Sequence, residues 1–137
     1  MPRVGLSSAP VRGDVVIIHG ATRPALQPVA LVLASRGARV VLTGPRERAL
    51  GELVGEIVFG GGKARHVVGE ITDPATLASA WTKAEEAFAA PVHVIGLHGD
   101  ALAIAEAAER KVPFHAVTEG IFDVPTATRW LDSLSAE

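Results

Sequence analysis

The 137-residue chain contains no cysteine and no tyrosine. The first absence excludes disulfides, thiolate metal sites and a cysteine nucleophile, and the second excludes a phenolic hydroxyl as general acid or base. Charge is scarce as well: charged residues make up 20% of the sequence and sum to a formal net charge of −2. The basic residues are spread out, so no phosphate-backbone footprint is present and no nucleic-acid partner is expected. Apolar runs are too short and too interrupted to span a bilayer, and residues 1–13 lack the apolar core of a signal peptide. No membrane partner is expected, and cytoplasm is the default compartment.

What the chain has in abundance is apolar surface to bury, with 48% hydrophobic residues and a mean hydropathy of +0.31. Its length suits a single domain, expected over 14–137 behind a flexible lead-in at 1–13. Short β-branched runs alternate with stretches of helical period, the pattern of stacked βα units around a parallel sheet. The strands are predicted at Asp14 to His19, Ala38 to Thr43, Ala64 to Gly69, Val92 to Leu97 and Pro113 to Thr118. Most lack strict alternation, as strands covered on both faces do.

A first helix is predicted from Ala25 to Ser35, with Leu26, Val29, Ala30 and Leu33 on one stripe and Gly37 as its stop. Pro45 is placed at the start of a second, which shows Leu50, Leu53, Val54 and Ile57 to the core and ends at Gly60, Gly61 and Gly62. Thr72, Asp73 and Pro74 form a capped entry to a third, along which Leu77, Trp81, Ala84 and Phe88 recur at helical spacing. Ala101 to Arg110 and Val124 to Leu134 supply the last two. Trp81 and Trp130 read as core or interface fillers.

The run Val15, Val16, Ile17, Ile18, His19, Gly20, Ala21, Thr22, Arg23 resembles the first strand and Thr-Gly-x-x-x-Gly-x-Gly turn of the short-chain dehydrogenases/reductases. Arg39 to Arg46 is similar to the second strand and the basic residue beyond it, Gly69 to Asp73 to the end of the third, and Val94 to Gly99 to the fourth with its Asn-Asn-Ala-Gly motif. Beyond about Asp100 the resemblance fades, so the chain reads as a truncated, degenerate member matching the family's N-terminal Rossmann half. The resemblance implies an α/β, three-layer αβα sandwich on a five-stranded parallel sheet of order 3-2-1-4-5. Right-handed crossovers then put helices on both faces.

The family's chemistry needs a tyrosine, a lysine and a serine. The first is missing, and Val117, Thr118 and Glu119 stand where the serine is expected. No catalytic residue is assigned, since loss of the general acid/base alone typically costs on the order of 10²- to 10⁴-fold in rate. The cofactor turn also departs from the pattern. Gly20 matches its first glycine, but Pro24 and Leu26 replace the second and third, which admit the pyrophosphate and let the helix approach the strand. The residues that could retain a dinucleotide are Gly20, Thr22, Arg23, Arg46, Glu70 and Ile71, the two arginines matching positions that surround a 2′-phosphate in NADP-preferring relatives. No cofactor is expected; the alternative is a weakened, NADP-leaning nucleotide site.

Strand carboxyl ends also bring together His19, Thr43, Glu70, His98, Asp100, Thr118 and Glu119. His19 and His98 would lie on adjacent strands and, with Asp100, could form a small acid/base or metal-binding group, against the simpler view that strand ends are polar because they meet solvent. No metal site is assigned. His66, His93 and His115 fall inside strand patterns, where they satisfy local hydrogen bonds or face a sheet edge. The last strand is a potential exposed edge, which points to a homodimer through it or through the final helix, or to docking on an intact dehydrogenase-like partner. The reading is thus a non-catalytic binding or assembly module.

Overall fold

The computed structural model describes residues 9–118, 120, 121 and 123–134. Strands and helices alternate strictly: β1 (Val15–His19), α1 (Gln27–Ser35), β2 (Arg39–Gly44), α2 (Glu47–Phe59), β3 (Lys63–Val68), α3 (Pro74–Ala87), β4 (His93–Leu97), α4 (Ala101–Glu109), β5 (Phe114–Val117) and α5 (Val124–Ser133). The five strands form one parallel sheet in the order β3-β2-β1-β4-β5. That is the predicted topology. Chain reversal between β3 and β4 leaves a crevice beyond the carboxyl ends of β1 and β4, where open α/β sheets bind their ligands.

The pleat of the central strand sorts the core into two layers. Val16 and Ile18 join Val40, Leu42 and Ile95 under α1, α2 and α5. Val15 and Ile17 join Val41 and Val94 under α3 and α4. All five residues of β1 are buried, as expected of a strand covered on both faces. The tryptophans divide between the layers: Trp81 is buried among α3 and α4 with the Arg110 guanidinium 4.5 Å from its ring centre, and half-buried Trp130 packs against the opposite layer.

Helix starts are where sequence and structure part. Asp73 caps α3 as predicted, its Oδ1 accepting from Ala75 N at 2.9 Å, with Pro74 as the first helical residue. α1 instead begins at Gln27, and Ala25 and Leu26 belong to the preceding turn. Pro28, not Pro24, occupies the first helical turn, where a missing N–H costs nothing. Pro45 lies two residues ahead of α2 rather than opening it. α5 carries a reciprocal cap, Asp123 Oδ1 accepting from Thr126 N at 2.9 Å and Thr126 Oγ1 accepting from Asp123 N at 3.1 Å.

Of the lead-in, residues 1–8 lie outside the described residues. Residues 10–13 are tied down: Pro10 is buried, and Gly13 N donates to Gly37 O at 2.9 Å. Among the described residues, no helix is long and apolar enough to cross a membrane.

Candidate functional site

The turn after β1 decides what the crevice can hold. Gly20 has φ +85°, a conformation that glycine adopts without penalty. Its amide donates to Thr43 O at 3.1 Å and Thr43 Oγ1 at 3.0 Å, and Ala21 N donates to Thr43 O at 2.8 Å. Arg23 N then donates to Gly20 O at 3.0 Å, and both Leu26 N (2.9 Å) and Gln27 N (3.1 Å) donate to Arg23 O. The first two amides thus bond to β2 and the other three to the turn's own backbone. Pro24 and Pro28 have none to offer.

Leu26 fills space beside Gly20. It is 0% exposed, and its Cδ1 lies 3.8 Å from the point that a Cβ on Gly20 would occupy. The family's third glycine leaves that region open for helix and strand to approach. The turn therefore departs from the usual pyrophosphate cradle at its second and third glycine positions, and the amides of Gly20, Ala21, Arg23, Leu26 and Gln27 are each engaged by the protein itself.

His19 is 1% exposed, and both its ring nitrogens are engaged. Nε2 lies 2.8 Å from Ile71 O, which can only accept, so Nε2 carries a hydrogen and donates it. Nδ1 lies 2.8 Å from Thr43 Oγ1. In the neutral ring with its hydrogen on Nε2, Nδ1 accepts from the Thr43 hydroxyl, which itself accepts from Gly20 N. His19 thus binds β1, β2 and the loop after β3 together. Thr43 is the residue whose role the sequence did not disclose, and its hydroxyl, one strand away and in register with His19, was the available signal.

A cleft of about 400 Å³ opens beside this tie. It gathers His19, Gly20, Arg23, Ile71, His98 and Asp100 with Thr72, Leu97 and Leu102. Exposed His98 lines it while its amide donates to Val117 O at 2.9 Å, and Asp100 Oδ1 accepts from Ala103 N at 3.1 Å, capping α4. Thr22, Arg46 and Glu70 are not among the lining residues. Thr22 packs beside Gly44, Arg46 is the exposed residue ahead of α2, and Glu70 is exposed after β3. Thr118 is exposed beyond β5, and Glu119 lies outside the described residues. Among the described residues no three His, Asp or Glu side chains converge on a metal position.

A wider recess, about 480 Å³, lies between the carboxyl ends of α1 and α2, lined by Arg12, Glu56, Gly61 and Gly62. It is at the other end of the sheet, away from the crevice that the topology creates.

No protein-family model matches the chain. A curated relative, the NADPH-dependent aldehyde reductase-like protein of Arabidopsis thaliana chloroplasts, is 32% identical over 96 residues, 63% of this chain and 36% of that protein. A metagenomic short-chain oxidoreductase solved with NADP is 29% identical at a TM-score of 0.56, over 62% of this chain and 38% of that one. The L-sorbose reductase of Gluconobacter frateurii, solved with NADPH and L-sorbose, shares the fold at 18% identity and a TM-score of 0.59, over 64% of this chain and 34% of that one. The chain is short-chain-dehydrogenase-like. It spans about a third of the length of each of these proteins. Within this SDR-like unit, the departures at Pro24 and Leu26 fall on the element that carries the family's nucleotide turn.

Proposed function

We propose that this chain is a non-catalytic SDR-like Rossmann module that acts through binding or assembly. The observation that carries the reading is the closed turn: Leu26 is fully buried beneath Gly20, and the amides of Gly20, Ala21, Arg23, Leu26 and Gln27 are spent on backbone acceptors. Assembly is supported by β5, an edge strand with a neighbour on one side only, and by the exposure of Ile104 on α4 and Val124 on α5. Such a module acts as a homodimer or on an intact dehydrogenase-like partner, and in the cytoplasm.

Calorimetry with NADP and NAD tests the turn directly. The wild-type chain is expected to bind neither measurably, while Pro24→Gly with Leu26→Gly is expected to bind NADP at least about tenfold more tightly than wild type, because the freed helix start regains its affinity for phosphate. Tight NADP binding by the wild type, unimproved by the two glycines, would sink this reading. The titration is run at a temperature where the variant's circular dichroism shows it folded.

A second reading, a weakened NADP-leaning nucleotide site of an oxidoreductase-like protein, is favoured by exposed Arg23 at the rim of the cleft and by exposed Arg46. His98, also in the cleft, is then the candidate acid/base. Turnover of alcohols or carbonyls with NADP that vanishes in His98→Gln would select it.

A further inference from the structure

At the amino end of the sheet, three titratable side chains lie in a row. Asp14 precedes β1, His93 opens β4 and His115 is the second residue of β5. Each sits two positions before a residue of the layer under α1, α2 and α5, namely Val16, Ile95 and Val117, so all three point to that face. His93 Nε2 lies 3.1 Å from Asp14 Oδ2, and His93 Nδ1 lies 3.0 Å from His115 Nε2. The rings are 7% and 6% exposed. Neither the cleft nor the turn uses them.

Counting hydrogens limits the charge this row can hold. The Asp14 carboxylate accepts, so His93 Nε2 carries a hydrogen. The contact between rings takes one hydrogen and no more, because N–H groups on both nitrogens would oppose each other at 3.0 Å. The two imidazoles together therefore accommodate at most one positive charge. This holds whatever the second ring nitrogen of His115 touches.

We propose that His93 and His115 form a proton-limited latch that fastens edge strand β5 to the sheet and releases it when a second proton arrives. β5 is four residues long and pairs only with β4, its ends marked by Val94 N to Pro113 O at 3.0 Å and His98 N to Val117 O at 2.9 Å. Fewer bonds hold it than hold any central strand. Burial lowers the pKa of His93 below its usual value, opposed by the charge and hydrogen bond of Asp14. The unfolded chain thus binds more protons than the folded one, so the stability is complete above the unfolded histidine pKa and is lost as pH falls through it. Other charges on the packed elements are partnered or exposed: Arg36 pairs with Asp132 of α5 at 2.9 Å, Arg110 with Glu106 at 2.8 Å, and Arg39 of β2 donates to Gly13 O at 2.6 and 3.0 Å. Arg129 and Lys111 face solvent.

Urea denaturation and amide hydrogen exchange on the full chain, from about pH 8 to about pH 5, test the latch. The wild-type unfolding constant is expected to rise by up to about tenfold per pH unit below about pH 6.5, with β5 amides losing protection before those of β1. His115→Gln keeps an amide donor for His93 but cannot be protonated, and is expected to flatten that slope. Equal slopes in the two proteins would overturn the proposal. Should the variant not fold, nitrogen-detected NMR of the wild-type histidines decides: a single hydrogen shared between the rings at about pH 5.5 supports the latch, and two fully protonated rings with β5 still protected refute it.

Discussion

At the carboxyl end of the sheet, His19 is held by a carbonyl and a hydroxyl, Ile71 O and Thr43 Oγ1, each at 2.8 Å. At the amino end, His93 is held by a carboxylate and a second imidazole, at 3.1 and 3.0 Å. Both ends satisfy their buried rings: among the described residues, no buried side-chain polar atom lacks a hydrogen-bond partner. The difference lies in what the partners can become. A carbonyl and a hydroxyl keep their charge at every physiological pH, so the partners at the first end, a brace across β1, β2 and the loop after β3, are constant in charge. A carboxylate and an imidazole exchange protons, which makes the second end respond to its medium.

Three substitutions probe this contrast. Leu26→Ala is expected to have the largest effect, a loss of about 2–5 kcal/mol, because a fully buried leucine is removed from beneath a turn whose hydrogen bonds cannot move to fill the gap. Chemical denaturation measures it, and a loss below about 1 kcal/mol would mean that the turn collapses readily and is not the brace described. Thr43→Val comes next. It leaves His19 Nδ1 buried without its hydroxyl partner, for an expected cost of about 1–3 kcal/mol in the same denaturation measurement.

Asp14→Asn should change neutral-pH stability least, since the asparagine carbonyl can still accept from His93 Nε2. Its effect belongs to acid pH. Asp14 raises the His93 pKa against the lowering by burial, so removing its charge widens the gap to the unfolded value and carries the loss of stability further into acid. A variant with the wild-type acid profile would show that this carboxylate does not act on the histidine row.

The features legible in the sequence were those set by neighbours along the chain. Asp73 followed by Pro74, the stripe Leu77, Trp81, Ala84, and the β-branched runs each announced their element locally, and the family resemblance supplied the strand order. The α1 start was less legible because Pro24 and Pro28 both fit a first helical turn, and the helix begins at Gln27 with Pro28 in that turn. The histidine row was hidden for a different reason. Asp14 and His93 are 79 residues apart in sequence and His93 and His115 are 22 apart, and nothing local fixes the register that brings them side by side. His19 was singled out for its location, while Thr43, whose hydroxyl engages the ring at 2.8 Å, registered only as one more polar strand end.

The placement of the two indoles, with no tyrosine anywhere in the sequence, gives the molecule an optical signature of its own. Trp81 lies in the layer of α3 and α4 beneath a guanidinium, shielded from water, whereas Trp130 sits half in solvent on α5, across the sheet. Ultraviolet emission from this chain therefore sums a blue, shielded component from one face and a redder, quencher-accessible one from the other. Loosening of the α5 side alone would shift the redder component while the blue one held, so the two faces can be followed separately with no label attached.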